Sequence, residues 1–295
     1  MATAAQWLEG ARPRTLPMAF APVIVGSAAA VGLGSFKPLN AALALIVSVL
    51  LQVGVNYAND YSDGIRGTDD VRVGPLRLTG SGVAQPRHVK LAAFACFGLA
   101  MLAGLVLILL SQASWILLLV GVGCIAAAWG YTGGKNPYGY LGLGDVYVFV
   151  FFGLVATLGT TFTQAGQLSA AAWTGAVSTG LIAMALLMAN NVRDIPTDTA
   201  VGKKTLAVRL GDTAARISYV IMLAAAVLLP LLLSGEYPWM LLVLLLVPAC
   251  LAPSRLMLTG TRRTSLIPVL KQTGLISLAF SLLFAAGIVI TRTLG

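Results

Sequence analysis

Residues 38–69 read PLNAALALIVSVLLQVGVNYANDYSDGIRGTD, and this stretch decides how the chain is read. An apolar run long enough to cross roughly 30 Å of hydrocarbon as a helix ends abruptly in Asn56, Asn59, Asp60, Asp63 and Asp69. The acids therefore stand where a membrane helix meets water. The composition agrees: of 295 residues 58% are hydrophobic and only 10% charged, and the mean hydropathy of +0.89 lies far outside the range of soluble domains. Comparable apolar windows recur along nearly the whole sequence, and nothing resembles the alternating ten-residue segments of a membrane barrel.

The sequence predicts an all-α membrane protein, with spans near 16–35, 38–58, 89–110, 114–132, 144–164, 171–192, 213–234, 238–258 and 271–291. The expected architecture is a bundle of nine transmembrane helices, two pseudo-repeated four-helix halves plus one helix, forming a single domain over 1–295. The start, MATAAQWLEGARPRTLP, lacks a basic opening followed by an apolar run and a small-residue cleavage site, so the first span is expected to stay in place. Pro13 and Pro17 fit the entry to that span, behind an interfacial helix holding Trp7.

With nine spans, 17 of the 19 lysines and arginines fall on the side of the N-terminus, leaving only Lys37 and Arg292 opposite. That asymmetry predicts a multi-pass protein of the cytoplasmic membrane, N-terminus in the cytoplasm and C-terminus outside. The net charge of +9 then reflects topology and attraction to anionic headgroups, and a nucleic-acid partner is excluded. Cys96, Cys124 and Cys250 lie inside spans without paired spacing and read as packing residues.

The acids are concentrated. Asp60, Asp63, Asp69 and Asp70 follow the second span; Asp194, Asp198 and Asp212 follow the sixth. Asn56 precedes Asp60 by four residues and Asn190 precedes Asp194 by four, and each cluster leads into a glycine-punctuated basic stretch, RVGPLRLTGSG (72–82) and GKKTLAVRLG (202–211). Two such units four spans apart suggest a repeat in parallel. Positions 56, 60 and 63 share a helical face if the second span continues that far, whereas Pro196 is expected to end the sixth helix near Ile195 and put Asp198 on the following turn. Converging carboxylates repel one another unless a cation sits among them, and hard oxygen ligands favour magnesium or calcium.

At these residues the sequence resembles the intramembrane aromatic prenyltransferase superfamily. NDYSDGIRG supplies Asn59, Asp60 and Asp63 of its first motif, DIPTD supplies Asp194 and Asp198 of its second, and YTGGK supplies Tyr131 and Lys135. The chain departs from the pattern at Gly67, where a further aspartate would stand. The loops ARPRTLP, RLTGSG and NNVRDIPTDTAVGKKTLAVRLG are most similar to the branch that prenylates 1,4-dihydroxy-2-naphthoate in menaquinone synthesis.

The resemblance implies transfer of a polyprenyl group from its diphosphate to an aromatic acid, with loss of the carboxyl group in this branch. It implies Mg2+ held by Asp60, Asp63, Asp194 and Asp198, with Tyr131 and Lys135 catalytic. Asn56, Asn59, Arg72, Arg77, Asn190, Arg193 and Lys203 are the expected substrate-binding residues, the basic ones suited to diphosphate or carboxylate oxygens. Tyr147, Phe149, Phe151 and Phe152 are candidates to face an allylic cation, with packing as the ordinary alternative. Asp145 reads as an acceptor contact or a helix cap, and His88 as interfacial. A cation transporter would place its acids near the bilayer midplane, and a CDP-alcohol phosphotransferase would need Asp-Gly-x2-Ala-Arg, which fails after Gly64. Another aromatic acceptor such as 4-hydroxybenzoate remains the alternative within the family.

Overall fold

The computed structural model describes residues 2–67, 76–134, 137–260 and 263–294, and among the described residues every regular element is helical. A capping box of Thr3 and Gln6 starts α1 (Ala4–Ala11). Arg12 then takes a left-handed conformation (φ 55°) and leads into the single turn Pro13–Thr15. From there the chain bends by 49° into α2 (Pro17–Gly32). The helices α3 (Pro38–Ile65), α4 (Pro86–Ser111) and α5 (Ile116–Gly130) follow. Next come α6 (Gly144–Ala165) and α7 (Ala170–Ala200), the short α8 (Leu206–Leu210), α9 (Asp212–Leu233), α10 (Pro238–Leu258) and α11 (Ile267–Leu294).

The outer surface is apolar, and the interior buries hydroxyls alongside its hydrophobic core. Leu102, Leu119 and Leu232 are 60–79% exposed, while Thr157, Thr161, Ser178 and Thr273 are fully buried. Interior hydroxyls bond within and between helices: Thr161 Oγ1 donates to Gly26 O of α2 at 2.9 Å, and Thr157 and Thr179 join α6 to α7 at 3.1 Å. Small residues bring these backbones together, since a Cβ on Gly153 would lie 2.5 Å from Cα of Gly180.

Among the described residues, seven helices are long and apolar enough to cross a membrane, or eight if the bent pair Ala4–Thr15 and Pro17–Gly32 is one span. The difference from the expected nine lies in the first and fourth segments, which are helical but only 16 and 15 residues long. The first is shortened by the break at Arg12–Leu16, and the fourth by the glycine-rich turn after Gly130.

Two helix ends also differ from expectation. The helix α3 runs seven residues beyond the expected end at 58 and stops at Ile65; Gly67 (φ 69°) then adopts the left-handed conformation that follows many helix ends. Position 67 thus turns the chain, which accounts for glycine where a further aspartate was expected. The helix α7 continues through Pro196 to Ala200, so Asp198 is helical. The proline forgoes only its own N–H bond to the carbonyl four residues back, and the helix continues past it. There the hydroxyls of Thr197 and Thr199 donate to Asp194 O and Ile195 O at 2.9 and 2.7 Å.

Candidate active site

The ends of α3 and α7 face one cavity of about 1550 Å³. Its polar end is lined by Asn56, Asn59, Asp63 and Arg77 from the first half and by Asn190, Arg193, Asp194, Asp198 and Lys203 from the second. Its apolar body reaches between α3, α4, α5 and α6, past Leu107, Leu117, Gly121, Cys124 and Phe151. A volume of this size suits a ligand much larger than a metabolite of a few carbons.

The carboxylates at the polar end are held by bases and a phenol. Asp63, 4% exposed, accepts from Tyr140 Oη at 2.8 Å, with Lys203 Nζ 3.8 Å and Arg77 Nη2 4.0 Å away. The tyrosine ring is itself flanked by cations, with Lys203 Nζ 4.3 Å and Arg66 Cζ 5.5 Å from its centroid. Asp194 receives a bidentate fork from Arg193, Nε to Oδ1 at 2.7 Å and Nη2 to Oδ2 at 2.6 Å. The same Nη2 donates to Asn190 Oδ1 at 2.7 Å. Lys203 is delivered by the end of α7, where its N–H donates to Asp198 O at 2.8 Å and Gly202 N–H donates to Thr199 O at 3.2 Å. Gly202 has φ 74°, which only glycine adopts without strain, and the pair of bonds folds the chain back over the helix end.

The asparagines act on backbone and hydroxyls. Asn56 Nδ2 donates to Ala11 O (2.9 Å) and Thr15 Oγ1 (3.0 Å), fixing the turn between α1 and α2, and Asn59 Oδ1 accepts from Thr132 Oγ1 at 2.7 Å. Tyr131 lines the cavity at the end of α5 and begins an aromatic series along its wall. Its ring meets Tyr138 edge-on at 5.6 Å, Tyr138 stacks on Tyr147 at 3.8 Å, and Tyr147 lies 5.8 Å from Phe151. Phe151 and Phe152 lie in a π-helical stretch, Phe149–Val155, a distortion common at functional sites.

Asp60 stands apart from its expected partners. It is fully buried, and its two carboxylate oxygens accept the backbone N–H groups of Leu78 and Thr79, both at 2.8 Å. It does not line the cavity. Asp145 is also buried outside the cavity lining. Among the described residues no three of histidine, cysteine, aspartate and glutamate come close enough to enclose a metal ion. Lys135, Arg72, Asp69 and Asp70 lie outside the described residues. Tyr140 and Arg12, which line the cavity, were not among the expected site residues. The signal for Tyr140 was a tyrosine in the glycine-rich turn YGYLGLGD (138–145).

A membrane-embedded cavity with a long apolar body, and with acids and bases from two helix ends at its head, defines a protein built for an amphiphile with an anionic head. The UbiA prenyltransferase family matches residues 19–276. A 1,4-dihydroxy-2-naphthoate octaprenyltransferase of Mycobacterium tuberculosis is 52% identical over 98% of both chains. Another, from Escherichia coli, is 41% identical over 97% of this chain and 96% of its own. Among solved structures, a UbiA homologue of Aeropyrum pernix superposes with a TM-score of 0.71 at 17% identity, over 94% of this chain and 98% of the other. A homologue of Archaeoglobus fulgidus bound to GPP and Mg2+ gives 0.66 at 16% identity, over 96% and 99%. The chain belongs to the UbiA prenyltransferase family and is an integral, multi-pass membrane protein.

Proposed function

We propose that the protein transfers a polyprenyl group from polyprenyl diphosphate to 1,4-dihydroxy-2-naphthoate, with loss of the carboxyl group, giving demethylmenaquinone. The relatives named for this reaction match along nearly their whole length. The observation that carries the reading is the single cavity whose head joins Asp63 to Asp194, Asp198, Arg77, Arg193 and Lys203 and whose body is apolar. The head suits a diphosphate and the body an isoprenoid chain.

The donor chemistry fits Mg2+, which takes carboxylate oxygens and shares its sphere with substrate phosphates. Asp63, Asp194 and Asp198 would hold it from two walls, and bound magnesium would neutralise charge on the departing diphosphate. Asp63 and Asp194 are partnered by Arg77, Lys203 and Arg193. If those carboxylates held metal, the bases would be free to exchange carboxylate for phosphate oxygens, so acids and bases suit the two parts of one ligand. Lys135 and Arg72 belong to the proposed diphosphate contacts as well. Tyr131 and the aromatic series shield the reacting carbon from water and face positive charge developing there.

The same reading takes residues 1–295 as one membrane domain of nine spans in two related halves, with its N-terminus in the cytoplasm. The Asn-x3-Asp units at matching helix ends support the repeat. The test is direct: purified protein with polyprenyl diphosphate, 1,4-dihydroxy-2-naphthoate and Mg2+ should yield a product whose mass equals prenyl plus acceptor less carbon dioxide. EDTA should stop the reaction and added Mg2+ restore it. Transfer to 4-hydroxybenzoate with none to the naphthoate would replace the acceptor and keep the rest.

A further inference from the structure

Three polar atoms on cavity-lining residues are buried with no hydrogen-bond partner among the described residues. They are Arg12 Nη2, Gln52 Oε1 and Gln272 Oε1. Buried polar groups are nearly always paired, and leaving one unpaired is costly.

The orientation of Gln52 follows from its neighbours. Thr15 Oγ1 donates to Arg12 O at 2.9 Å and therefore accepts from Gln52 Nε2 and Asn56 Nδ2, each at 3.0 Å. Gln52 must present its amide nitrogen to Thr15, which leaves Oε1 as an acceptor without a donor, on a residue 6% exposed. Arg12 adds a second anomaly, because its φ of 55° is a conformation that glycine takes without strain and arginine does not. The strained turn holds a guanidinium at the cavity wall with one nitrogen unused. On the facing helix α11, an added Cβ on Gly274 would lie 3.7 Å from Arg14 O, and Gln272 of the same helix lines the cavity. The helix thus packs against the same turn.

One unpaired cationic donor and two unpaired acceptors complement an aromatic acid that carries ring hydroxyls. Eleven residues of α3 separate Gln52 from Asp63, roughly 16 Å at the helical rise, which leaves the head of the cavity to the diphosphate. We propose that the Pro13–Thr15 turn is the acceptor subsite: Arg12 Nη2 takes the carboxylate of the aromatic acid, and Oε1 of Gln52 and of Gln272 accept from its hydroxyls. This assignment rests on the transfer reading given above and adds where and how the second substrate is recognised.

The test uses full-length protein in detergent, titrated calorimetrically with 1-hydroxy-2-naphthoate and with 1-naphthol, which lacks the carboxylate. Wild type should bind the acid at least about tenfold more tightly, and Arg12→Leu should abolish that preference. Arg12→Lys, which keeps the charge, should retain part of it, and Gln52→Leu should weaken both ligands. In turnover assays these variants should raise KM for the acceptor and leave KM for the prenyl diphosphate unchanged. Equal changes in both KM values, or acid binding indifferent to Arg12, would overturn the subsite. Arg12-dependent acid binding without any prenylated product from wild type would sink the transfer reading and leave the subsite standing.

Discussion

Lys203 Nζ lies 3.8 Å from Asp63 Oδ1, so the residue just past the end of α7 reaches the last turn of α3. The contact crosses from the second acid cluster to the first. In the proposed exchange Lys203 moves from carboxylate to phosphate oxygen, a charge-assisted bond of about 1.5–3 kcal/mol. Lys203→Met should therefore raise KM for the prenyl diphosphate roughly 10- to 100-fold. KM for the acceptor should hardly move, and steady-state kinetics with each substrate varied separately checks the split.

Tyr140 donates to Asp63, 2.8 Å from Oη to Oδ1, while its ring lies under Lys203. Tyr140→Phe keeps the ring and removes only the hydrogen bond. Turnover should fall by about tenfold, the scale of one hydrogen bond to a charged group, with the thermal midpoint of the purified protein little changed. Tyr140→Ala, which also removes the cation–π platform, should be worse than phenylalanine in kcat/KM.

What was legible in the sequence followed from local rules. Apolar length marked the spans, and the paired Asn-x3-Asp units marked the two helix ends that meet, with Asn56, Asp63, Asn190, Asp194 and Asp198 on one cavity. What was illegible depended on tertiary contacts. Helical spacing grouped Asp60 with Asp63, but Asp60 is claimed by the amides of Leu78 and Thr79, eighteen and nineteen residues on and beyond any periodicity. Pro196 signalled a break, yet the helix runs through it to Ala200. Tyr140 and Arg12 reach the cavity lining only through tertiary packing, and no spacing rule announces that.

The contact between α6 and α7 depends on hydrogen at Gly153. An added Cβ there would meet Cα of Gly180 at 2.5 Å and Ala176 O at 2.8 Å, both backbone atoms that no side-chain rotation relieves. Gly153→Val should destabilise the protein by more than the usual overpacking range of about 1–3 kcal/mol. A lower melting midpoint in detergent, with loss of monodisperse protein on size exclusion, is the expected result. Gly159, whose Cβ would meet nothing within 4 Å, is the matched control on the same helix, and Gly159→Ala should leave the midpoint unchanged.

Asp60 separates holding a loop from holding a metal. Its oxygens accept the amides of Leu78 and Thr79, and the same loop carries Arg77 to within 4.0 Å of Asp63. The loop also packs closely on the end of α3, since a Cβ on Gly64 would lie 2.5 Å from the Thr79 side chain. Asp60→Asn replaces one acceptor by an amide that faces another donor, at a cost of about 1–3 kcal/mol for the group left unsatisfied. Hydrogen exchange at Leu78 and Thr79 should speed up, and KM for the prenyl diphosphate should rise as Arg77 loses its fixed place. The Mg2+ concentration for half-maximal turnover should stay within about threefold of wild type, well under the 1.4 kcal/mol that marks a tenfold change. Asp63→Asn, which removes a carboxylate from the cavity itself, should raise that concentration or abolish turnover. Equal shifts in metal requirement for the two variants would make Asp60 a ligand after all, with the loop contact secondary.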